Sequence, residues 1–139
     1  AVMCKQFSDA HTSTFAQATA AAYLQSGRLP AELAKVRAVY AARARCMCDA
    51  LEREVGDAIR FVRPAGGLFV WATLTGANGA ISDGSALAKR AIDNNVAFVP
   101  GTPFFAQDPD PRTLRLSFAT ADEDKIEAGI AKLAQAIRG

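Results

Sequence analysis

The chain has 139 residues, of which 50% are hydrophobic and 22% charged, with a formal net charge of +2. Those figures describe a globular domain large enough to bury a core of its own, and they exclude a disordered or fibrous chain. The charge is too small, and its signs too interleaved, for a nucleic-acid or membrane-surface binder.

No apolar run approaches the roughly 18 residues of a membrane span. The opening residues, Ala1-Val2-Met3-Cys4-Lys5, lack the long apolar stretch of a secretory signal. Three cysteines, Cys4, Cys46 and Cys48, form no even framework, so a reducing cytoplasm is the expected compartment. The abrupt opening suggests further chain upstream.

In chain order, the alanine-rich residues 16–22 predict a helix. Thr12, Ser13 or Thr14 is its N-cap, and Gly27 its stop. Pro30 opens a second, long helix, because proline suits a first turn. Leu33, Val36, Tyr40, Ala44, Met47, Leu51 and Val55 recur at spacings of three and four, which makes one apolar stripe ending at Gly56. Lys35, Arg37, Arg43, Arg45 and Arg53 lie mostly off it and read as a solvated face.

Residues 59–63 predict a short strand stopped by Pro64, and Ala65-Gly66-Gly67 a turn. Residues 68–74, Leu-Phe-Val-Trp-Ala-Thr-Leu, are apolar enough to predict a strand covered on both faces. Ser82 is expected to cap a helix running to Asp93, with Leu87, Ala88, Ala91 and Ile92 inward. Residues 96–99 and 113–118 predict two further strands, separated by a proline-bearing loop. Thr120 and Glu123 read as a capping box for a closing helix with Ile126, Ile130, Leu133 and Ile137 on one face. The expected class is α/β, locally α+β: a small mixed, mostly antiparallel sheet covered by helices. The first helix has little sheet of its own to cover and would suit a partner domain or subunit.

Arg115 stands out among candidate chemical groups. Strand alternation puts Leu114 and Leu116 on one face and Arg115 and Ser117 on the other. A guanidinium inside an apolar strand needs a partner. Its planar fork matches a carboxylate; an internal Asp or Glu, or exposure on an edge strand, would satisfy it equally. His11, beside Thr12, Ser13 and Thr14, marks a helix start that is either an anion site or an ordinary capping cluster. A single histidine excludes a multi-histidine metal site, and no metal is expected. Cys46 and Cys48 are two apart on a helix, point in different directions and read as structural. Gly66-Gly67 lacks the spacing of a phosphate loop and is followed by a strand. Phe104 and Phe105, after Gly101, either pin their loop or line a pocket.

Three segments in order, P-A-G-G-L-F-V-W at 64–71, N-V-A-F-V-P-G-T-P-F-F at 95–105 and T-L-R-L-S-F-A at 113–119, carry a further reading. Together they resemble the C-terminal small domain of the fold type I, class I/II aminotransferases, which use pyridoxal 5′-phosphate. The resemblance is to the branch with the 2-aminoadipate, aromatic and kynurenine-type enzymes. The opening Lys5-Gln6, Asp9 to Thr14 and Gln17 are similar to the segment where that branch leaves its large domain.

The resemblance implies that Arg115 pairs with the substrate α-carboxylate. It implies that Thr12 and Ser13 lie near a dimer interface and that Gly101, Phe104 and Phe105 approach the substrate side chain. It divides the chain into an interdomain or interface segment, 1–29, and a small domain, 30–139, with N-terminal helices that would pack on a missing large domain. The cofactor lysine, phosphate ligands and pyridine-nitrogen aspartate belong to that large domain; Lys5 lacks their context. The implied whole is a cytoplasmic homodimer that moves an amino group between an amino acid and a 2-oxo acid, with no nucleic acid or membrane partner. This chain alone is expected neither to bind the cofactor well nor to catalyse transfer. Two other readings stay open: the effector domain of a winged-helix transcription regulator, and a free-standing interaction module.

Overall fold

The computed structural model describes residues 2–8 and 10–139. It divides into two compact units, residues 1–37 and 38–139. The boundary falls within a helix that continues through it.

In the first unit, helix α1 spans Val2–Ser8 and helix α2 spans Thr14–Gln25. Neither has a buried residue. The sequence reading contained no counterpart of α1, whose seven residues carry no apolar stripe. Ser13 is the N-cap of α2 but makes no side-chain capping bond. Gln17 Nε2 donates instead to the Thr12 carbonyl at 2.7 Å. Gly27 stops the helix as expected, at φ +69°, where an L side chain is strained.

Helix α3 spans Leu29–Glu54, with Pro30 in its first turn and Gly56 beyond its end at φ +57°. The predicted stripe holds in its second half. Met47 and Leu51 are buried, and Tyr40, Ala44 and Val55 pack against the same core. Leu33 and Val36, in the first unit, are exposed.

The second unit is built on a four-stranded sheet in the order β1-β2-β4-β3, formed by β1 (Ile59–Phe61), β2 (Phe69–Leu74), β3 (Val99–Pro100) and β4 (Thr113–Ser117). Every pairing is antiparallel. Period-two alternation turns Val70, Ala72, Leu74, Leu114 and Leu116 to one face, where all are buried. They meet Met47, Cys48 and Leu51 of α3, Leu87 and Ala91 of α4 (Gly84–Asp93), and Ile126, Ile130, Leu133 and Ile137 of α5 (Glu123–Arg138). One layer of helices on one face of an antiparallel sheet is therefore the architecture.

β2 is not covered on both faces, contrary to the sequence expectation. Its burial alternates, and Phe69 and Trp71 are each 40% exposed. An apolar run fits a doubly buried strand, but it equally fits one whose second face carries aromatics. β3 is shorter than predicted because Val96, beyond the end of α4, turns its N–H back to the helix: it bonds to the Ala91 carbonyl at 2.9 Å, after Asn95 turns at φ +57°. Pro100, which cannot donate to a ladder, sits in this edge strand.

Two helix starts also differ from expectation. Asp83, not Ser82, caps α4, accepting from the N–H groups of Ser85 at 2.8 Å and Ala86 at 3.2 Å. Asp122, not the Thr120–Glu123 pair, caps α5: it accepts from Lys125 N–H at 3.0 Å and pairs with Lys125 Nζ at 2.7 Å. In each case a carboxylate nearer the first turn takes the position, where the helix dipole favours negative charge. Lys125 also holds the Asp122 carboxyl below the usual range. The cap at α4 gives a direct test. Asp83→Ala should cost about 1 kcal/mol in urea unfolding, whereas Ser82→Ala should leave the midpoint almost unchanged. Equal losses would return the cap to Ser82.

Candidate functional site

The second face of the sheet gathers the residues of interest. In the β2–β4 register Trp71 stands opposite Arg115 and Phe69 opposite Ser117, and in the β3–β4 register Val99 is also opposite Arg115. Arg115 is thus held on a central strand with an aromatic neighbour on one side and an apolar one on the other. It is half-buried.

Its guanidinium meets rings rather than charges. The Arg115 Cζ lies 4.3 Å from the centre of the Phe69 ring and 4.4 Å from that of Phe104. Both distances are within cation–π range. The Arg115 Nε is buried without a hydrogen-bond partner. None of the ion pairs among the described residues includes Arg115. The internal salt bridge that strand patterning left open is therefore not made among the described residues. Other arginines do pair: Arg63 grips Asp49 and Glu52, each at 2.6 Å, and Arg112 grips Asp110 at 2.8 Å.

The loop after β3 delivers Phe104. Gly101 N–H donates to the Thr113 carbonyl at 2.7 Å, and a Cβ built on Gly101 would stand 2.6 Å from the Thr113 Cβ. Only glycine allows this approach. Residues 102–104 then form one tight helical turn, with Phe104 N–H bonded to the Gly101 carbonyl at 3.0 Å. Trp71 meets Phe104 edge to face at 5.9 Å and Phe105 in a tilted contact at 6.0 Å. The two phenylalanines both pin the loop and border the open face. Thr113 itself is buried, its hydroxyl donating to the Asp110 carbonyl at 2.7 Å.

Gly101, Phe104, Phe105 and Arg115 are accordingly brought together. Phe69, Trp71 and Val99 join them, although the sequence reading did not single them out as site residues. Their signal was strand parity, which becomes readable only when the β2–β4 register is known. Thr12 and Ser13 lie in the first unit, exposed, with local hydrogen bonds. His11 is also exposed, its Nδ1 2.8 Å from the Thr12 carbonyl.

The remaining candidates lie away from this face of the sheet. Cys48 is buried and Cys46 Sγ donates to the Glu123 carbonyl at 3.6 Å; burial pushes both thiols up from their usual pKa. Among the described residues no group of three His, Cys, Asp or Glu side chains can hold a metal. Gly67 turns at φ +87° and leads into β2, as a tight turn does. No described helix is long and apolar enough to cross a membrane.

A half-buried, unneutralised guanidinium at an open apolar face is suited to a small planar anion. The sequence profile of the aminotransferase class I and II family matches residues 3–133. The chain belongs to that family. It is 43% identical over 138 residues to the 2-aminoadipate transaminase of Thermus thermophilus, covering 99% of this chain and 34% of that protein. Among solved structures it is similar to the alpha-aminoadipate aminotransferase of Thermus thermophilus complexed with N-(5′-phosphopyridoxyl)-L-leucine. There the TM-score is 0.83 and the identity 40%, over 99% of this chain and 34% of the other. It is also similar to the kynurenine aminotransferase of Pyrococcus horikoshii, with TM-score 0.86 and 36% identity over 98% of this chain and 33% of the other. The chain thus spans about a third of the length of the relatives it matches.

The family implies pyridoxal 5′-phosphate, whose imine chemistry needs a lysine. Lys5, Lys35, Lys89, Lys125 and Lys132 all lie on helices; no strand residue and no residue of the 101–105 loop is a lysine. The face around Arg115 does not supply that group.

Proposed function

We propose that this chain is the C-terminal portion of a longer pyridoxal-phosphate-dependent aminotransferase that moves an amino group between an amino acid and a 2-oxo acid, and that Arg115 receives the α-carboxylate of both. The observation that carries this is the unneutralised Arg115 fork on the open sheet face of a chain belonging to the aminotransferase family.

A carboxylate entering that face would accept two parallel N–H bonds from the guanidinium. Phe69, Phe104 and Val99 would keep water from the pair, which strengthens its attraction. Fixing the carboxylate at one end of the substrate restricts the directions its other bonds to Cα can take, so Arg115 contributes by orientation. The cofactor would be held by the part of the intact enzyme outside this chain, and would supply the electron sink for the transfer. This chain alone would neither hold it well nor transfer amino groups.

Further features support the same reading. Helices α1 and α2 bury nothing and expose Met3, Phe7, Phe15 and Leu24, which suits packing on the upstream portion and at a homodimer interface near Thr12 and Ser13. Three free cysteines suit the cytoplasm.

The intact, cofactor-loaded enzyme should transfer an amino group from an α-amino acid to a 2-oxo acid. It should use the amine of the same side chain without its carboxylate at least about 100-fold less well, as loss of a buried charge partner predicts. Absence of any transfer would overturn the activity. Equal use of the decarboxylated amine would overturn the carboxylate site.

A further inference from the structure

Arg115 presents a mechanical problem. A long, rotatable side chain must hold its fork in one direction before a ligand arrives, and proteins commonly achieve this with a carboxylate partner. Such a partner would neutralise the charge and compete with the incoming anion. Here no ion pair among the described residues reaches Arg115, and its Nε has no acceptor. Among the described residues, no hydrogen bond through Nε orients it.

The contacts that remain are aromatic. Phe69 and Phe104 place their ring centres 4.3 Å and 4.4 Å from Cζ. Ring faces attract the cation through their quadrupole yet accept none of its N–H bonds in the plane of the fork. They can therefore fix the group without consuming its donors or its charge. The two rings come from independent elements: Phe69 from β2, diagonal to Arg115 in the register, and Phe104 from the loop seated on Thr113. Trp71, opposite Arg115, meets the Phe104 ring edge to face at 5.9 Å and braces it.

We infer that Phe69 and Phe104 are positioning residues that hold the Arg115 guanidinium by cation–π contact in the orientation that receives a carboxylate, with Trp71 bracing Phe104. The inference rests on the proposed carboxylate role of Arg115 and adds to it the source of the arginine's order.

The experiment uses the intact enzyme and acetate, a carboxylate without a side chain, as a competitive inhibitor. Phe69→Leu and Phe104→Leu, read separately, should each raise the acetate inhibition constant and the KM of small and large substrates about 5- to 30-fold, in parallel, the range a partly desolvated cation–π contact supports. Phe69→Tyr should restore near wild-type values, because the ring face is kept. In an Arg115→Gln background the penalty for Phe69→Leu should vanish. Phe69 and Phe104 are 40% and 49% exposed, so neither substitution opens the core.

A penalty that grows with substrate side-chain size and spares acetate would overturn the inference in favour of direct substrate contact. Wild-type acetate binding in both leucine variants would also overturn it. In either case a large loss in Arg115→Ala would leave the carboxylate site standing. If Arg115→Ala itself bound acetate normally, the site reading would fall first and the positioning role with it.

Discussion

Arg115→Ala in the intact enzyme is expected to lower kcat/KM for amino acid and 2-oxo acid alike, by roughly 30- to 1,000-fold, the kinetic equivalent of the ~2–4 kcal/mol lost when one partner of a buried charge pair is removed. The parallel loss follows from the α-carboxylate that both substrates share. The unfolding midpoint should move little, because Arg115 has no ion pair among the described residues to break. That combination separates a ligand fork from a structural one. An arginine answering a buried Asp or Glu would lose stability on truncation by leaving that carboxylate unpaired. Arg115→Lys should recover only part of the loss, since an ammonium is a point charge and cannot form two parallel bonds. Steady-state kinetics with both substrates and urea unfolding of the same variants check the prediction. Near wild-type kcat/KM, or a collapse in stability, would refute it.

Phe118→Ala is expected to be the mirror image: large in stability, with no direct contact to the open face. Phe118 follows β4, is 1% exposed and is among the largest fully buried side chains. Its N–H bonds to the Leu68 carbonyl at 3.1 Å. Truncation removes an aromatic ring from a packed site that can collapse only in part, so about 3–5 kcal/mol should be lost in urea unfolding. That is a large share of the roughly 5–15 kcal/mol that holds an ordinary domain. The neighbouring Ala119 carbonyl accepts from Arg43 Nη1 at 2.6 Å, so the exit of β4 stays tied to α3 even when the ring is gone. The native backbone should therefore persist at low temperature. A loss under about 1 kcal/mol would mean that the ring does not pack in the core.

The elements with strong periodicity were legible in the sequence, and those defined by single hydrogen bonds were not. The stripe through Met47 and Leu51, and that through Ile126, Ile130, Leu133 and Ile137, turned the right face inward because burial enforces the period. α1 left no such trace, since it buries nothing. The caps went to Asp83 and Asp122 rather than to neighbouring residues that also cap helices; that choice depends on one or two residues of phase, below what composition can resolve. Arg115 was visible as an anomaly, and its strand parity was right. Its lack of a carboxylate partner among the described residues was not visible. That depends on β2 pairing with β4 across the intervening helix and loop, and on where Gly101 lets the loop lie. Family resemblance pointed to the same arginine by a different route, through the order of three short segments.

The seat of Gly101 on Thr113 has a practical consequence for redesign. Because the loop's first peptide is bonded to the strand that carries Arg115, two residues before it, the ring of Phe104 and the guanidinium share one mount. Lengthening or shortening the loop would shift the aromatic wall and the cation's surroundings together. A search for altered substrate range should therefore leave residues 101, 104 and 113 alone and vary the side chain at 105, which meets Trp71 and not the guanidinium.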